Sequence, residues 1–184
     1  MALKLKDMVE FTDQLRFHNG RNITLDSVQR VLQEGADYFG IPVAFNRDIL
    51  KAGFLGGDKD ECLVLYNPEH PKDYYHFCVT LSHQGSVAFI DTYYYGYSKI
   101  DARAVNDMRW QQHQNQLDSD SGLEAMAGLI GGAVSGVNKI IGKFTKNEKK
   151  EKDEVNYYTI ISDLFNKLVE VQYDGIKTGF FGTT

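Results

Sequence analysis

The sequence predicts an α+β fold in which an antiparallel sheet of about four strands is flanked by N-terminal and C-terminal helices. Two stretches, residues 25–39 and 155–171, carry apolar residues at helical spacing. Residues 49–95 instead contain short runs of alternating polarity that are rich in aromatic residues and separated by glycine and proline. Helices on both sides of a block of consecutive strands are typical of the α+β class.

The first two elements are predicted to be helices. The first covers residues 3–17 and ends at His18-Asn19-Gly20. The second follows Thr24, whose side chain can accept hydrogen bonds from the free backbone N–H groups at a helix start. It ends before Gly40 and Pro42, which are common signals of a helix end. Its buried face is formed by residues that recur every three or four positions: Leu25, Val28, Leu32, Ala36 and Phe39.

Four strands are predicted over residues 49–55, 61–66, 74–83 and 86–95. The last two are joined by Gln84-Gly85, and a two-residue turn there would place Cys78 opposite Asp91. Successive side chains of a strand point to opposite faces of the sheet. One face of this hairpin therefore carries the predicted core residues Phe77, Val79, Leu81, Ala88 and Ile90.

The last third of the chain is predicted to be helical. Asp101 can cap one helix, and a final amphipathic helix covers residues 155–171. Between them lie a polar break, a glycine-spaced helix at 122–144 and a lysine-rich linker. We therefore assign residues 1–117 to an α+β domain and residues 118–184 to a helical C-terminal part that packs on the same domain.

Gly128, Gly132 and Gly136 recur every four residues in the glycine-spaced helix. Because each glycine destabilises a helix by about 1 kcal/mol relative to alanine, this spacing indicates that another backbone approaches closely. That backbone belongs either to the last helix or to a second copy of the chain, which would make the protein a homo-oligomer. Two further alternatives are a flexible insertion and contact of residues 123–146 with an acidic membrane surface through the lysine-bearing side.

The charge pattern argues against a nucleic-acid partner. The net charge is −5, whereas neutralising phosphates needs clustered lysine and arginine. The one basic stretch, residues 125–152, contains six lysines and two glutamates, which is typical of a solvated segment. The N-terminal region lacks the apolar stretch of a signal peptide. We therefore expect a cytoplasmic protein in which Cys62 and Cys78 are free thiols.

His76, Cys78 and Asp91 share the polar face of the hairpin, and such side chains can form a nucleophile with its base. Residues two apart on a strand, however, lie about 7 Å from each other, which is long for a thiolate–imidazole hydrogen bond of about 3 Å. A small hydrolase or transferase that uses these residues is therefore an alternative to the main prediction. We expect no metal and no cofactor, because the cysteine and histidine spacings match no ligand motif and no phosphate-binding loop is present.

The same face carries a mixture of aromatic and polar side chains, which includes Thr80, Phe89, Tyr93 and Tyr95. Tyrosine is enriched in protein interfaces. The sequence therefore predicts a non-catalytic protein–protein interaction module with a protein partner, such as an adaptor, an immunity or inhibitor protein, or a chaperone-like protein. The alternatives are the small enzyme described above and a peripheral membrane-surface protein that binds through residues 123–146.

Overall fold

The structure is a computed structural model that describes residues 3–51, 59–117, 146–173 and 176–177. The chain divides into two compact units, one formed by residues 1–99 with 164–184 and the other by residues 100–163. The fold class is α+β, as predicted, with a mostly antiparallel sheet and three α-helices among the described residues. The predicted domain boundary after residue 117 falls at the edge of a described range and stays a prediction.

The first unit contains seven strands in one sheet. Their bounds are β1 Leu3–Lys4, β2 Met8–Phe17, β3 Ala44–Lys51, β4 Lys59–Tyr66, β5 His76–Gln84, β6 Val87–Tyr95 and β7 Ile176–Lys177. The order across the sheet is β1-β3-β4-β5-β6-β2-β7. β1 and β3 are parallel, and the other neighbouring pairs are antiparallel. The sequence predicted about four strands, and the additional ones come from residues 3–17 and from the tail.

The sheet curls so that its two ends approach each other. Five interstrand steps separate β1 from β2, and on a flat sheet they would span about 24 Å. Along the chain, only Leu5–Asp7 connects these two strands, and a link of this length spans at most about 14 Å. Side chains from six strands also meet in one small cluster on the face that carries Cys78. That side of the sheet is therefore the concave face, and the opposite side is the convex face.

Residues 3–17 form β1, a 3-10 turn and β2, so the predicted N-terminal helix is wrong. Leu15 and Phe17 are fully buried while Arg16 between them is exposed, which is the alternation of a strand. β2 pairs with β6 along its whole length, with two bulges near its start. This pairing joins residues far apart in the sequence, and such tertiary contacts override the local apolar spacing that suggested a helix.

The helix α1 spans Leu25–Phe39 and begins and ends as predicted. Thr24 Oγ1 accepts a hydrogen bond from the Ser27 N–H (3.1 Å), and Ser27 Oγ accepts one from the Thr24 N–H (3.0 Å), which together form a capping box. Gly40 ends the helix with a φ of 66°, a conformation that favours glycine. Arg47 of β3 donates hydrogen bonds to Asp26 (2.5 Å) and Gln29 (3.3 Å) of α1, so the helix lies against the convex face.

The buried apolar side chains of the first unit include residues of α1 and of the convex face of the sheet. From the helix, Val28, Leu32 and Ala36 are buried, as the apolar spacing predicted. From the β5–β6 hairpin, the predicted core residues Phe77, Val79, Ala88 and Ile90 are also buried, whereas Leu81 is half-buried. Large apolar side chains removed from water in this way supply most of the stabilisation of a domain of this size.

The turn between β5 and β6 is Gly85-Ser86 rather than Gln84-Gly85. Gln84 pairs with Val87, and Gly85 has a φ of 64°, which the first central residue of a type II′ turn requires. The residue opposite Cys78 is therefore Tyr93 instead of Asp91. The observed pairing register differs from the predicted one by two residues. Since side chains alternate with a period of two, every side chain of the hairpin keeps its predicted face.

A tight corner follows β2 and contacts this hairpin. Asn19 is left-handed, with a φ of 61°, and the N–H of the buried Gly20 donates to the Ser86 carbonyl oxygen at 2.8 Å. A Cβ atom on Gly20 would lie 2.6 Å from the Ala88 Cβ. The corner therefore requires glycine because the two chain segments approach so closely.

The second unit contains α2 (Ala102–Leu117) and most of α3 (Lys146–Tyr173). α2 begins as predicted, since Asp101 Oδ1 accepts hydrogen bonds from the N–H groups of Arg103 (3.0 Å) and Ala104 (3.3 Å). α3 starts before residue 155, so the part of the predicted lysine linker at residues 146–152 is helical instead. Lysine and glutamate are good helix formers that pair at i+3 and i+4, which explains the difference.

Candidate binding face

The predicted site residues of the β5–β6 hairpin all lie on the concave face of the sheet. His76, Cys78 and Thr80 alternate along β5, and they face the alternating residues of β6. Cys78 is fully buried, whereas the other members of the set are half-buried and keep part of their surface exposed. These partly exposed residues are His76, Thr80, Phe89, Asp91, Tyr93 and Tyr95.

Cross-strand pairing arranges this face in rows. One row consists of Val64, Cys78, Tyr93 and Phe11, on β4, β5, β6 and β2. The next row begins on β3 and consists of Asp48, Cys62, Thr80, Asp91 and Gln14. The buried members of these rows belong to a small apolar cluster on the same face, which consists of Leu3, Leu50, Cys62, Val64 and Cys78, with Met8, Tyr93 and Tyr95 packed against it. The face therefore combines a buried apolar part with a partly exposed part that is aromatic and polar.

Cys78 interacts with Cys62 rather than with His76. Both are free thiols with no solvent exposure, and they share a hydrogen bond. That hydrogen bond, together with burial, raises the pKa of Cys78, so this thiol stays protonated at neutral pH. A nucleophilic cysteine reacts as the thiolate, and the arrangement therefore disfavours Cys78 as a nucleophile.

His76 lies between two tyrosines at one end of the face. Its ring centroid is 5.2 Å from that of Tyr66 and 6.0 Å from that of Tyr95. Its Nε2–H donates a hydrogen bond to the Pro71 carbonyl oxygen at 3.1 Å. Burial lowers the pKa of His76, and the hydrogen bond to Pro71 offsets only part of that shift. The side chain is therefore held as neutral imidazole in an aromatic contact, with one nitrogen already engaged.

Two carboxylates stand on either side of Cys62 and Thr80 in their row. Asp91 Oδ1 accepts a hydrogen bond from Gln14 Nε2 (2.6 Å), and Asp48 Oδ1 accepts one from the Ile49 N–H (2.8 Å). Within the described ranges, neither forms an ion pair with lysine or arginine. The face therefore carries two negative charges that no salt bridge within the described residues neutralises.

Aromatic rings lie in the rows on either side of Asp91. Phe11 and Tyr93 make an edge-to-face contact with ring centroids 5.3 Å apart, and the Arg16 guanidinium lies 5.9 Å from the Phe89 ring centroid. Burial and the nearby Asp91 raise the pKa of Tyr93, so its hydroxyl stays protonated and able to donate. Chemically, the face can pack apolar groups, attract cations, and donate and accept hydrogen bonds.

Sequence reasoning missed Phe11, Gln14 and Asp48 as members of this face. The first two lie on β2, which was predicted to be a helix, and Asp48 lies just outside the predicted bounds of its strand. The alternation of apolar and polar residues in Leu15-Arg16-Phe17 is the signal that could have identified β2. Once β2 is a strand beside β6, Phe11 joins the row of Cys78 and Tyr93, and Gln14 joins the row of Thr80 and Asp91.

Three further features concern metal binding, membrane crossing and the glycine-spaced helix. No group of three or more His, Cys, Asp or Glu side chains in the described ranges is placed to hold a metal ion. None of the described helices has the length and apolar character needed to cross a bilayer. Gly128, Gly132 and Gly136 lie outside the described residues, so close helix packing, self-association and membrane contact through residues 123–146 stay predictions.

No family model, curated protein or solved structure matches this chain. The functional inference therefore depends on the concave face and its side chains.

Proposed function

We propose that the protein is a non-catalytic protein–protein interaction module that binds its partner through the concave face. The observation that carries the proposal is the group of partly exposed aromatic and polar side chains on that face, Thr80, Phe89, Tyr93 and Tyr95. Aromatic side chains on a sheet offer a large contact area and lose little conformational freedom on binding. Such groups dominate the binding energy of many protein interfaces.

The surroundings of the candidate catalytic residues favour binding over nucleophilic catalysis. Cys78 is buried beside Cys62 with a raised pKa, and His76 donates to Pro71 instead of to the thiol. Asp91 accepts from Gln14 and therefore does not orient the imidazole. A thiolate–imidazole–carboxylate triad needs these three groups in sequential contact, whereas each of them has a different partner.

The curl of the sheet indicates the shape of the partner. A concave face is complementary to a protruding segment, such as a turn, strand or helix, and less so to a flat surface. An adaptor, an inhibitor and a chaperone-like protein would each fit this geometry. The apolar cluster on this face joins side chains from six strands and so maintains the shape of the face.

Affinity purification from native cells tests the proposal. The bait proteins are the wild type, Phe89→Ser, Tyr95→Ser and the control Tyr38→Ser, which removes a tyrosine that is 83% exposed on α1, away from the concave face. All four must first show comparable thermal melts. We expect the wild type and Tyr38→Ser to retain the same proteins by quantitative mass spectrometry, and both face variants to lose them. Equal retention by all four baits would overturn the proposal.

A further inference from the structure

We infer that the partner contributes a cationic segment whose lysine or arginine side chains are received by the Asp48 and Asp91 carboxylates. This inference rests on the proposed function and specifies the chemistry of the partner at the same face. It follows from the balance of charge on the concave face, from the partial burial of the two carboxylates and from the aromatic rings beside Asp91.

The concave face carries more negative than positive charge. Asp60 pairs with Leu50 across β4 and β3, which places it on the same face as Asp48 and Asp91. Among the described side chains of the concave face, Arg16 is the only lysine or arginine, and its guanidinium lies over Phe89. Three carboxylates and one guanidinium leave a net charge of −2 on the face. A cationic partner is the electrostatic complement of this surface.

Both carboxylates retain capacity for further hydrogen bonds. Asp91 has one donor, Gln14, and Asp48 has one donor, the Ile49 N–H, whereas an ionised carboxylate can accept about four hydrogen bonds. Because both are half-buried, their attraction for a cation is screened less than that of a fully exposed carboxylate. A lysine or arginine that enters this face therefore satisfies acceptors that are already partly removed from water.

The position of the carboxylates suits an elongated segment. Asp48 and Asp91 are three strands apart in one row, on either side of Cys62 and Thr80. Of the two residues between them, Cys62 is fully buried and Thr80 is half-buried, so a segment that crosses the row contacts Thr80 and passes between the two carboxylates. Tyr93 and Phe11, in the adjacent row, place aromatic rings near Asp91, where they can contact the same cation.

A peptide-binding experiment on the full-length protein tests the inference. The probe is a fluorescein-labelled twelve-residue peptide of alternating lysine and threonine, and its counterpart has glutamate in place of lysine. The site variant is Asp48→Asn with Asp91→Asn. The matched control is Glu34→Gln with Glu69→Gln, which removes the same charge from two exposed residues outside the face. Fluorescence anisotropy at low and high salt gives the dissociation constants.

We expect the lysine peptide to bind the wild type and the Glu34/Glu69 control alike, and to bind the Asp48/Asp91 variant at least about fivefold more weakly. The difference should shrink at high salt, and the glutamate peptide should not bind. Equal weakening in both double variants, or comparable binding of the glutamate peptide, would overturn the inference.

The Asp48→Asn/Asp91→Asn variant is also used as a bait in the affinity purification. Loss of the partner with Phe89→Ser but not with Asp48→Asn/Asp91→Asn would refute the cationic segment and leave the proposed function standing. Retention with every variant would refute both.

Discussion

Cys62 and Cys78 share a hydrogen bond but are not opposite each other in the sheet. Cys62 faces Thr80, and Cys78 faces Val64, so the two thiols occupy diagonal positions on neighbouring strands. Diagonal neighbours have Cα atoms about 7–8 Å apart, whereas a disulfide usually needs a separation of about 4.4–6.8 Å. The geometry of the sheet therefore opposes oxidation of this pair.

The first prediction is that diamide leaves both cysteines of the folded wild type as thiols. As a positive control, Thr80→Cys introduces a thiol directly opposite Cys62, and we expect this variant to form an internal disulfide. Peptide mass spectrometry after alkylation locates each bond. A Cys62–Cys78 disulfide formed in the folded wild type would show that the strands can slide or separate enough to bridge the diagonal.

The second prediction concerns the corner at Gly20. Because a Cβ there would lie 2.6 Å from the Ala88 Cβ, Gly20→Ala should lower the free energy of unfolding by about 1–3 kcal/mol through overpacking. Adding Ala88→Gly removes the Cβ–Cβ clash, so the double variant should lose less than the sum of the two single losses. Urea denaturation of the four proteins measures this coupling. Simple additivity would mean that the two residues do not contact each other.

The third prediction compares the two faces of the hairpin with the same new side chain. Ile90 is fully buried on the convex face, whereas Thr80 is half-buried on the concave face. Ile90→Asn should lower the free energy of unfolding by about 3 kcal/mol or more, since it removes apolar contacts and buries an amide without partners. Thr80→Asn should lower it by less than about 1 kcal/mol. The opposite ranking in chemical denaturation would contradict the assignment of the faces.

The fourth prediction is a pH dependence that arises from His76. Since burial lowers its pKa in the folded state below the ordinary value of 6.5, the unfolded chain binds a proton at a higher pH than the folded chain does. The stability contribution is therefore intact above about pH 6.5 and is lost progressively as the pH falls toward the folded-state pKa. His76→Gln should make stability less sensitive to acidification between pH 7.5 and 5. The exposed His18→Gln serves as control, and identical pH profiles for wild type and His76→Gln would refute the effect.

Local signals predicted the starts of α1 and α2 and the faces of the central hairpin. The Thr24 and Asp101 caps act within one turn of the chain, and alternation along β5 and β6 needs only the sequence of each strand. The N-terminal strands were missed because β1 and β2 are held by pairing with β3 and β6, far along the chain, and only Leu15-Arg16-Phe17 gives a short local signal of a strand. The same limitation hid Gln14 and Asp48 from the predicted site, since both join it only through cross-strand pairing.

The corner at Asn19-Gly20 also affects the rate at which Asn19 deamidates. An Asn-Gly pair deamidates when the glycine nitrogen attacks the asparagine side chain. Here the Gly20 N–H is engaged by the Ser86 carbonyl oxygen, and the Gly20 backbone is pressed against Ala88. The reaction therefore requires this corner to detach from the hairpin first. The rate at which isoaspartate accumulates at position 19 during storage would therefore measure how often the end of β2 separates from the hairpin.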